Sequence, residues 1–104
     1  MPGKPALVIS AAAERQISDI WQRVAADTGI AVADRIYEGM RAVIADLPSM
    51  PLRHESRDYV RRHYRRALVE RWAIYYRYEP GGRTVEVIAI FDGAMDVERH
   101  LPPE

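Results

Sequence analysis

Two segments in the first half of the chain repeat apolar residues at the spacing of an amphipathic helix. The first segment runs from Ala11 to Thr28, and its apolar positions recur three, four and seven residues apart: Ile17, Ile20, Trp21 and Val24. The second segment keeps the same period and stops before Pro48: Val32, Ile36, Met40, Val43, Ile44 and Leu47. Only a short link at Gly29 separates the segments, which predicts an antiparallel helical hairpin.

Short runs rich in β-branched and aromatic residues predict strands around this hairpin. Leu7–Ile9 precedes it, and three runs follow it: Leu68–Val69, Trp72–Tyr78 and Thr84–Phe91. The turn Pro80-Gly81-Gly82 joins the last two runs, and Ser10 suits a helix N-cap. Residues 49–66 fit neither period and are predicted as a loop with at most one helical turn, while residues 93–101 are predicted to form one or two helical turns.

The predicted fold class is α+β, with residues 1–104 forming a single domain. It has a short N-terminal strand, a two-helix hairpin, and an antiparallel three-stranded meander that forms a small twisted sheet. On the first long strand, Trp72, Ile74 and Tyr76 share one face, and Ala73, Tyr75 and Arg77 share the other. One face must carry the helices. The other is expected to be covered by a partner or to remain an unusually aromatic surface.

Composition narrows the class of protein. The chain has 104 residues, of which 48% are hydrophobic and 29% charged, which is typical of a folded globular protein. It contains no cysteine, so disulfides and thiolate metal sites are excluded. No apolar run approaches the roughly 20 residues of a membrane helix, and we expect a soluble cytoplasmic protein that does not bind membranes. The sequence has no phosphate-binding glycine loop and no histidine pair at metal spacing, so we predict no cofactor and no metal.

The net charge is zero, but the charges are unevenly placed. Lys4 is the only lysine among 15 basic residues. Between Arg53 and Arg71 there are seven arginines and three acidic residues, a local charge of +4. Because local potential steers association, this basic segment is a candidate surface for nucleic acid or for an acidic protein partner.

Few residues are candidates for chemistry. Arg71 and Arg77 lie at the two ends of a predicted strand, where each would pair with a nearby acid such as Glu79 or Glu86, or would neutralise a phosphate or carboxylate of a partner. Asp92 precedes Gly93, so a turn residue is favoured over a general base. The three histidines are expected to be exposed side chains rather than ligands: His54, His63 and His100.

A resemblance to a known family rests on several stretches in order. They are Ser10-Ala11-Ala12-Ala13, Ile17-Ser18-Asp19-Ile20-Trp21, Leu47-Pro48, Val69-Glu70-Arg71-Trp72-Ala73-Ile74-Tyr75-Tyr76-Arg77, and Phe91-Asp92-Gly93-Ala94-Met95-Asp96. In this order and spacing the chain resembles the ParE-type toxins of the RelE/ParE superfamily, which belong to type II toxin–antitoxin systems.

The resemblance implies a toxin that inhibits DNA gyrase by binding it and that a ParD-like antitoxin neutralises in a hetero-oligomeric complex. The RelE branch instead cleaves mRNA on the ribosome, and a ribosome-dependent endoribonuclease is the alternative. Asp92 stands where the family often has histidine, and the last residues contain no tyrosine, so a non-catalytic inhibitor is favoured and no catalytic residue is predicted.

Two sets of binding residues follow from the resemblance and the surface pattern. Antitoxin binding, across a groove between the helical hairpin and the sheet, is assigned to Ile17, Trp21, Trp72, Tyr75, Tyr76, Arg61 and Arg65. Target binding is assigned to Arg71, Arg77, Asp92 and Arg99.

Overall fold

The computed structural model describes residues 3–95, 97 and 101. Its elements in chain order are β1 (Ala6–Ile9), α1 (Ala11–Thr28), α2 (Ile30–Asp46), a 3₁₀ turn (Leu47–Ser49), β2 (Glu55–Ser56), β3 (Tyr64–Val69), β4 (Trp72–Arg77) and β5 (Thr84–Asp92). The predicted α+β class and element order are confirmed. Within the described residues, no helix is both long enough and apolar enough to cross a membrane.

Local sequence determines where the two helices begin and end. Ser10 caps α1, because its Oγ accepts a hydrogen bond from the Ala13 N–H at 3.0 Å. Gly29 ends α1 with a φ of +115°, a conformation that strongly favours glycine. Two side-chain pairs join the helices, Trp21–Asp34 near the link and Glu14–Arg41 further from it. The earlier residue of α1 meets the later residue of α2, so the helices are antiparallel, as predicted.

The sheet has five strands in the order β1-β5-β4-β3-β2. The predicted meander is β3–β4–β5, and β1 joins it by pairing in parallel with β5. The prediction of a loop over residues 49–66 is wrong at its end, because β3 begins at Tyr64 and pairs with the two-residue strand β2. Arg65 and Arg66 are tolerated in a strand because their guanidinium groups bond to backbone carbonyls and to Glu55.

The main core lies between the helices and one face of the sheet. It combines helix residues with inward-facing strand residues, all nearly inaccessible to solvent: Ala13, Ile17, Ile20, Ile36, Met40, Ile44, Leu47, Ala67, Trp72, Ile74, Tyr76, Val85, Val87 and Ile90. The alternation predicted for β4 is therefore correct, since Trp72, Ile74 and Tyr76 all face the helices. This packing holds α1 against β5.

A second apolar cluster covers the opposite face of the sheet. Tyr64, Ala73 and Tyr75 are buried there beneath Val97 and Leu101, with Val60 packed against them. The expectation that this face needs a partner, or remains exposed, is wrong. The chain buries it with its own residues, because Val60 from the loop before β3, and Val97 and Leu101 from beyond β5, pack onto the sheet.

Candidate functional site

The Arg71–Asp92 pair lies at the end of the sheet where β4 begins and β5 finishes. Arg71 Nε donates to Asp92 Oδ2 at 2.9 Å, and Arg71 Nη2 donates to the same oxygen. Asp92 Oδ1 accepts from the Ala94 N–H at 3.1 Å, so the predicted turn role of Asp92 is confirmed. The Arg71 hydrogen bonds, and then that of Ala94, lower the pKa of the Asp92 carboxyl. Asp92 is therefore an ionised acceptor at neutral pH and a weak base.

A cleft of about 250 Å³ opens beside this pair, between α1 and the sheet. We call it the α1–sheet cleft, and it is lined by Gln16, Asp19, Ile20, Arg23, Trp72, Ile90, Phe91, Asp92 and Met95. Trp72 Nε1 is buried and has no hydrogen-bond partner among the described residues. The cleft thus combines apolar side chains with donors from Arg23 and Gln16, which suits a peptide segment with acceptor groups.

The cleft also contains part of a strand edge. β1 pairs with β5 only as far as Val87, so no strand of the described part of the chain lies beside the last residues of β5 on that side. Side chains partly replace the missing strand: Ser10 Oγ donates to the Ile88 carbonyl at 2.7 Å, and Gln16 Oε1 accepts from the Ile90 N–H at 2.7 Å. A backbone edge held by side chains is a place where another chain can add a strand.

Arg77 does not join this site. It lies six positions from Arg71, which corresponds to about 20 Å along a strand. Its Nη2 is 3.8 Å from Glu79 Oε2, so the pairing with Glu79 anticipated from the sequence is confirmed. Arg71 and Arg77 therefore cannot act on one phosphate group. Arg99, the remaining predicted target-binding residue, lies outside the described residues.

The residues predicted to bind antitoxin are dispersed in the structure. Four of them belong to the two cores and are at most 6% exposed: Ile17, Trp72, Tyr75 and Tyr76. The hydroxyl of Tyr76 donates to the Pro51 carbonyl at 2.7 Å, and burial raises the pKa of this phenol. These side chains pack beneath the protein surface and present little accessible area to a partner.

Two of the predicted arginines are bonded to backbone carbonyls of nearby loops. Arg61 Nη1 donates to the Val60 carbonyl at 2.9 Å. Arg65 Nη1 donates to the carbonyls of Leu52 and His54 at 3.2 and 2.6 Å. Their guanidinium groups therefore hold the chain between the 3₁₀ turn and β3 in place.

Trp21 is the predicted antitoxin-binding residue that borders an open groove on the outer side of the helical hairpin. The groove measures about 410 Å³ and is lined by Glu14, Ile17, Ser18, Trp21, Gln22, Asp34, Tyr37 and Arg41. Trp21 Nε1 donates to Asp34 Oδ1 at 2.8 Å. Arg41 donates to both carboxylate oxygens of Glu14, and these hydrogen bonds lower the pKa of Glu14. This hairpin groove is separate from the α1–sheet cleft.

Comparison with known proteins identifies the family. The sequence matches the family described as the ParE toxin of type II toxin–antitoxin systems, parDE, over residues 7–97. The chain belongs to the ParE toxin family. No curated protein matches this sequence significantly.

Solved structures share the fold of this ParE-family toxin. One is the chromosomal ParDE toxin–antitoxin system from P. aeruginosa, with a TM-score of 0.73, 13% identity, and coverage of 86% of this chain and 96% of that chain. Another is the toxin–antitoxin complex RelBE2 from Mycobacterium tuberculosis, with a TM-score of 0.51, 17% identity, and coverage of 86% and 99%. At these identities the likeness shows a common fold.

Sequence reasoning missed Gln16 as a site residue of the ParE-family toxin. Gln16 precedes Ile17 on α1, and its amide bonds to a strand residue 74 positions away. Helical periodicity places Gln16 next to the apolar stripe, which was the available signal, but periodicity does not name the strand atom that it meets.

His54 and His63 are both partly buried, and His100 lies outside the described residues. His54 packs against the main core of the toxin. Its ring meets the Tyr76 ring edge-on at 6.1 Å between centroids, and its Nε2 has no hydrogen-bond partner among the described residues. The expectation that His54 is an exposed side chain is therefore wrong. Burial, and then the charge of Arg53, lower the pKa of His54.

This environment predicts a stability change at mildly acidic pH. The unfolded chain protonates His54 near pH 6.5, its ordinary pKa, whereas the folded chain protonates it only at lower pH. The unfolded state therefore binds more protons as the pH falls through this range, and stability decreases. We expect His54→Phe, which keeps the ring contact with Tyr76, to weaken this pH dependence in urea unfolding between about pH 7.5 and about pH 5.5. His63→Asn is the control and should behave like the wild type. An unchanged pH dependence in His54→Phe would contradict the prediction.

Proposed function

We propose that this ParE-family toxin binds DNA gyrase and holds the enzyme on cleaved DNA, and that a ParD-like antitoxin neutralises it in a hetero-oligomeric complex. The observation that carries the proposal is the family match over residues 7–97. Because gyrase acts on chromosomal DNA, a cytoplasmic location is part of the proposal.

The side-chain geometry favours binding over RNA cleavage. Cleavage through a 2′-hydroxyl needs an acid–base group within about 3 Å of the proton that it moves, close to a phosphate-stabilising cation. Arg71 is the cation at one end of β4, and its neighbour Asp92 is held ionised by it. Arg77 lies at the other end, beside Glu79. The Arg71 end of β4 therefore lacks a free cation beside a group poised to exchange a proton near neutral pH.

We propose that Arg71 contacts the target directly. Its side chain is 70% exposed, and that of Asp92 is 27% exposed. An exposed ion pair of this kind contributes little to folding stability, because water and salt screen it. Arg71 can therefore exchange Asp92 for a carboxylate of the target at small cost. Replacing Arg71 should separate target binding from folding.

For the antitoxin, we propose the α1–sheet cleft as the main contact. An antitoxin segment that adds a strand beside Ile90 would satisfy the backbone edge of β5 and cover Met95, which is 41% exposed. Both structural neighbours named above are toxin–antitoxin complexes. The hairpin groove at Trp21 offers a second contact for the same segment.

A supercoiling assay tests the function. Purified toxin is added to purified gyrase, relaxed plasmid and ATP, and both supercoiling and trapped cleaved DNA are measured. We expect supercoiling to stop and cleaved DNA to accumulate. Arg71→Ala should raise the inhibiting concentration about tenfold or more, because a hydrogen bond to a charged group is worth about 1.5–3 kcal/mol.

The control is Arg83→Ala, which changes an exposed arginine that has no side-chain partner among the described residues and precedes β5, far from Arg71. It should inhibit gyrase like the wild type. Normal supercoiling in the presence of folded toxin would refute gyrase as the target. Cleavage of ribosome-bound mRNA by the same preparation would establish the endoribonuclease alternative instead.

A further inference from the structure

A second cleft, of about 380 Å³, lies far from Arg71 and is mostly basic. It is lined by Arg62, His63, Tyr64 and Arg77. Tyr64 and Arg77 are opposite one another on β3 and β4, on the sheet face away from the helices. We call it the basic cleft. From its contacts we propose that it binds the phosphodiester backbone of a nucleic acid.

The positive charge of the basic cleft is largely available. Six of the seven arginines between Arg53 and Arg71 bond to carboxylates or backbone carbonyls: Arg53, Arg57, Arg61, Arg65, Arg66 and Arg71. Arg62 is exposed and has no hydrogen bond or ion pair among the described residues. Arg77 has the longest ion pair in the described chain, 3.8 Å to an exposed Glu79. Such a pair yields readily to a phosphate, which accepts hydrogen bonds from the guanidinium.

The loop that carries Arg62 is held in place before any ligand arrives. The His63 N–H donates to Asp58 Oδ1 at 2.9 Å, and the His63 carbonyl accepts from the Tyr78 N–H at 3.1 Å. Val60 packs against the second core from the same loop. Because the backbone around Arg62 is already ordered, binding costs little further conformational entropy.

An exposed aromatic ring on this loop favours a nucleic acid over an acidic peptide. Tyr59 is 73% exposed, more than any other large hydrophobic side chain in the described residues. The guanidinium of Arg57 lies 5.5 Å from the centre of its ring. A ring supported in this way offers a stacking surface for a base, on the same loop as Arg62.

Direct binding measurements test this proposal without gyrase, so its outcome is independent of the proposed function. Fluorescence anisotropy follows the purified toxin as it binds a labelled duplex DNA, a single-stranded RNA of the same sequence, or a labelled poly-glutamate peptide, over a range of salt concentrations. We expect binding to one or both nucleic acids with a steep salt dependence, and no comparable binding to the peptide. The two nucleic-acid arms show which backbone is preferred.

Variants assign any binding to the basic cleft. Arg62→Ala and Arg77→Ala should each weaken binding several-fold for whichever nucleic acid the wild type binds. Each should also reduce the slope of log K against log salt by about 0.9 for the duplex or about 0.7 for the single strand, the values for one phosphate contact. Arg62→Lys should keep most of the slope, since it keeps the charge. Arg15→Ala, an exposed arginine on α1 without a partner among the described residues, is the matched control.

Three results would overturn the proposal. Both alanine variants could bind nucleic acid as tightly as the wild type, Arg15→Ala could lose as much affinity as they do, or the wild type could bind the acidic peptide in preference to both nucleic acids. Circular dichroism of each variant verifies that it is folded. Arg62 and Arg77 are both exposed, so their replacement leaves the cores intact.

Discussion

Replacing Ile74 with alanine is expected to lower the free energy of unfolding by about 2–5 kcal/mol. Ile74 is fully buried at the centre of β4, where it packs in the main core between the helices and the sheet. Removing its larger side chain leaves a cavity that neighbouring strands cannot close, because each is fixed by its ladder of hydrogen bonds. A domain of this size has a total stability of about 5–15 kcal/mol, so the variant would lose much of it.

Leu68→Ala is the matched control for Ile74. Leu68 lies on the adjacent strand β3 and is 55% exposed, so its truncation should change stability by less than about 0.5 kcal/mol. Urea unfolding followed by tryptophan fluorescence measures both variants. Equal losses of stability in the two variants would contradict the assignment of Ile74 to the main core.

Replacing Gly29 with alanine is expected to cost about 1–3 kcal/mol. Gly29 ends α1 and begins α2, and its φ of +115° and ψ of 160° lie in a region that residues with a Cβ rarely adopt. A Cβ at this position would meet no atom within 4 Å, so the cost is backbone strain alone. Relieving the strain would require the helices to change their mutual packing.

Ala31→Gly provides the comparison for Gly29→Ala, because it exchanges the same two residue types two positions later, on the exposed side of α2. Ala31→Gly should lower the free energy of unfolding by no more than about 1 kcal/mol, the usual destabilisation by a glycine in a helix. Thermal unfolding of both variants gives the order of their stabilities. If Gly29→Ala is the more stable of the two, the strained link between the helices is refuted.

Residue patterns were sufficient to predict the helices and the alternation of β4. The spacing of Ile17, Ile20 and Val24 defines which side of α1 is buried, and Gly29 and Pro48 lie where the helices end or change character. These features depend on neighbours within one or two turns. Local sequence is enough to predict them.

Contacts between distant parts of the chain were not predictable in the same way. The pattern of β1 does not show that β5 is its partner, and Arg65 and Arg66 make the start of β3 look like a loop. Their charges are accommodated by Glu55 and by loop carbonyls, which only the folded chain brings close. Pattern alone therefore located β4 correctly and β3 only in part.

The predicted binding residues show the same limit. Aromatic residues on the second face of the sheet, such as Tyr75, were assigned to a partner because alternation reveals a face but not what covers it. The charge of the basic segment can be read from the sequence. In the structure, six of its arginines bond to carboxylates or backbone carbonyls, whereas Arg62 has no such partner among the described residues. That division depends on acceptors such as Asp46 and Asp92, which lie outside the segment.

The second core has a consequence for truncated forms of the protein. Val97 and Leu101 help to cover Tyr64 and Tyr75, so residues beyond β5 are needed to keep these aromatic rings away from water. A truncation just after Met95 would spare every helix and strand named above, yet uncover this apolar layer and favour aggregation and proteolysis of the product. Such a truncation is therefore expected to deplete the folded protein.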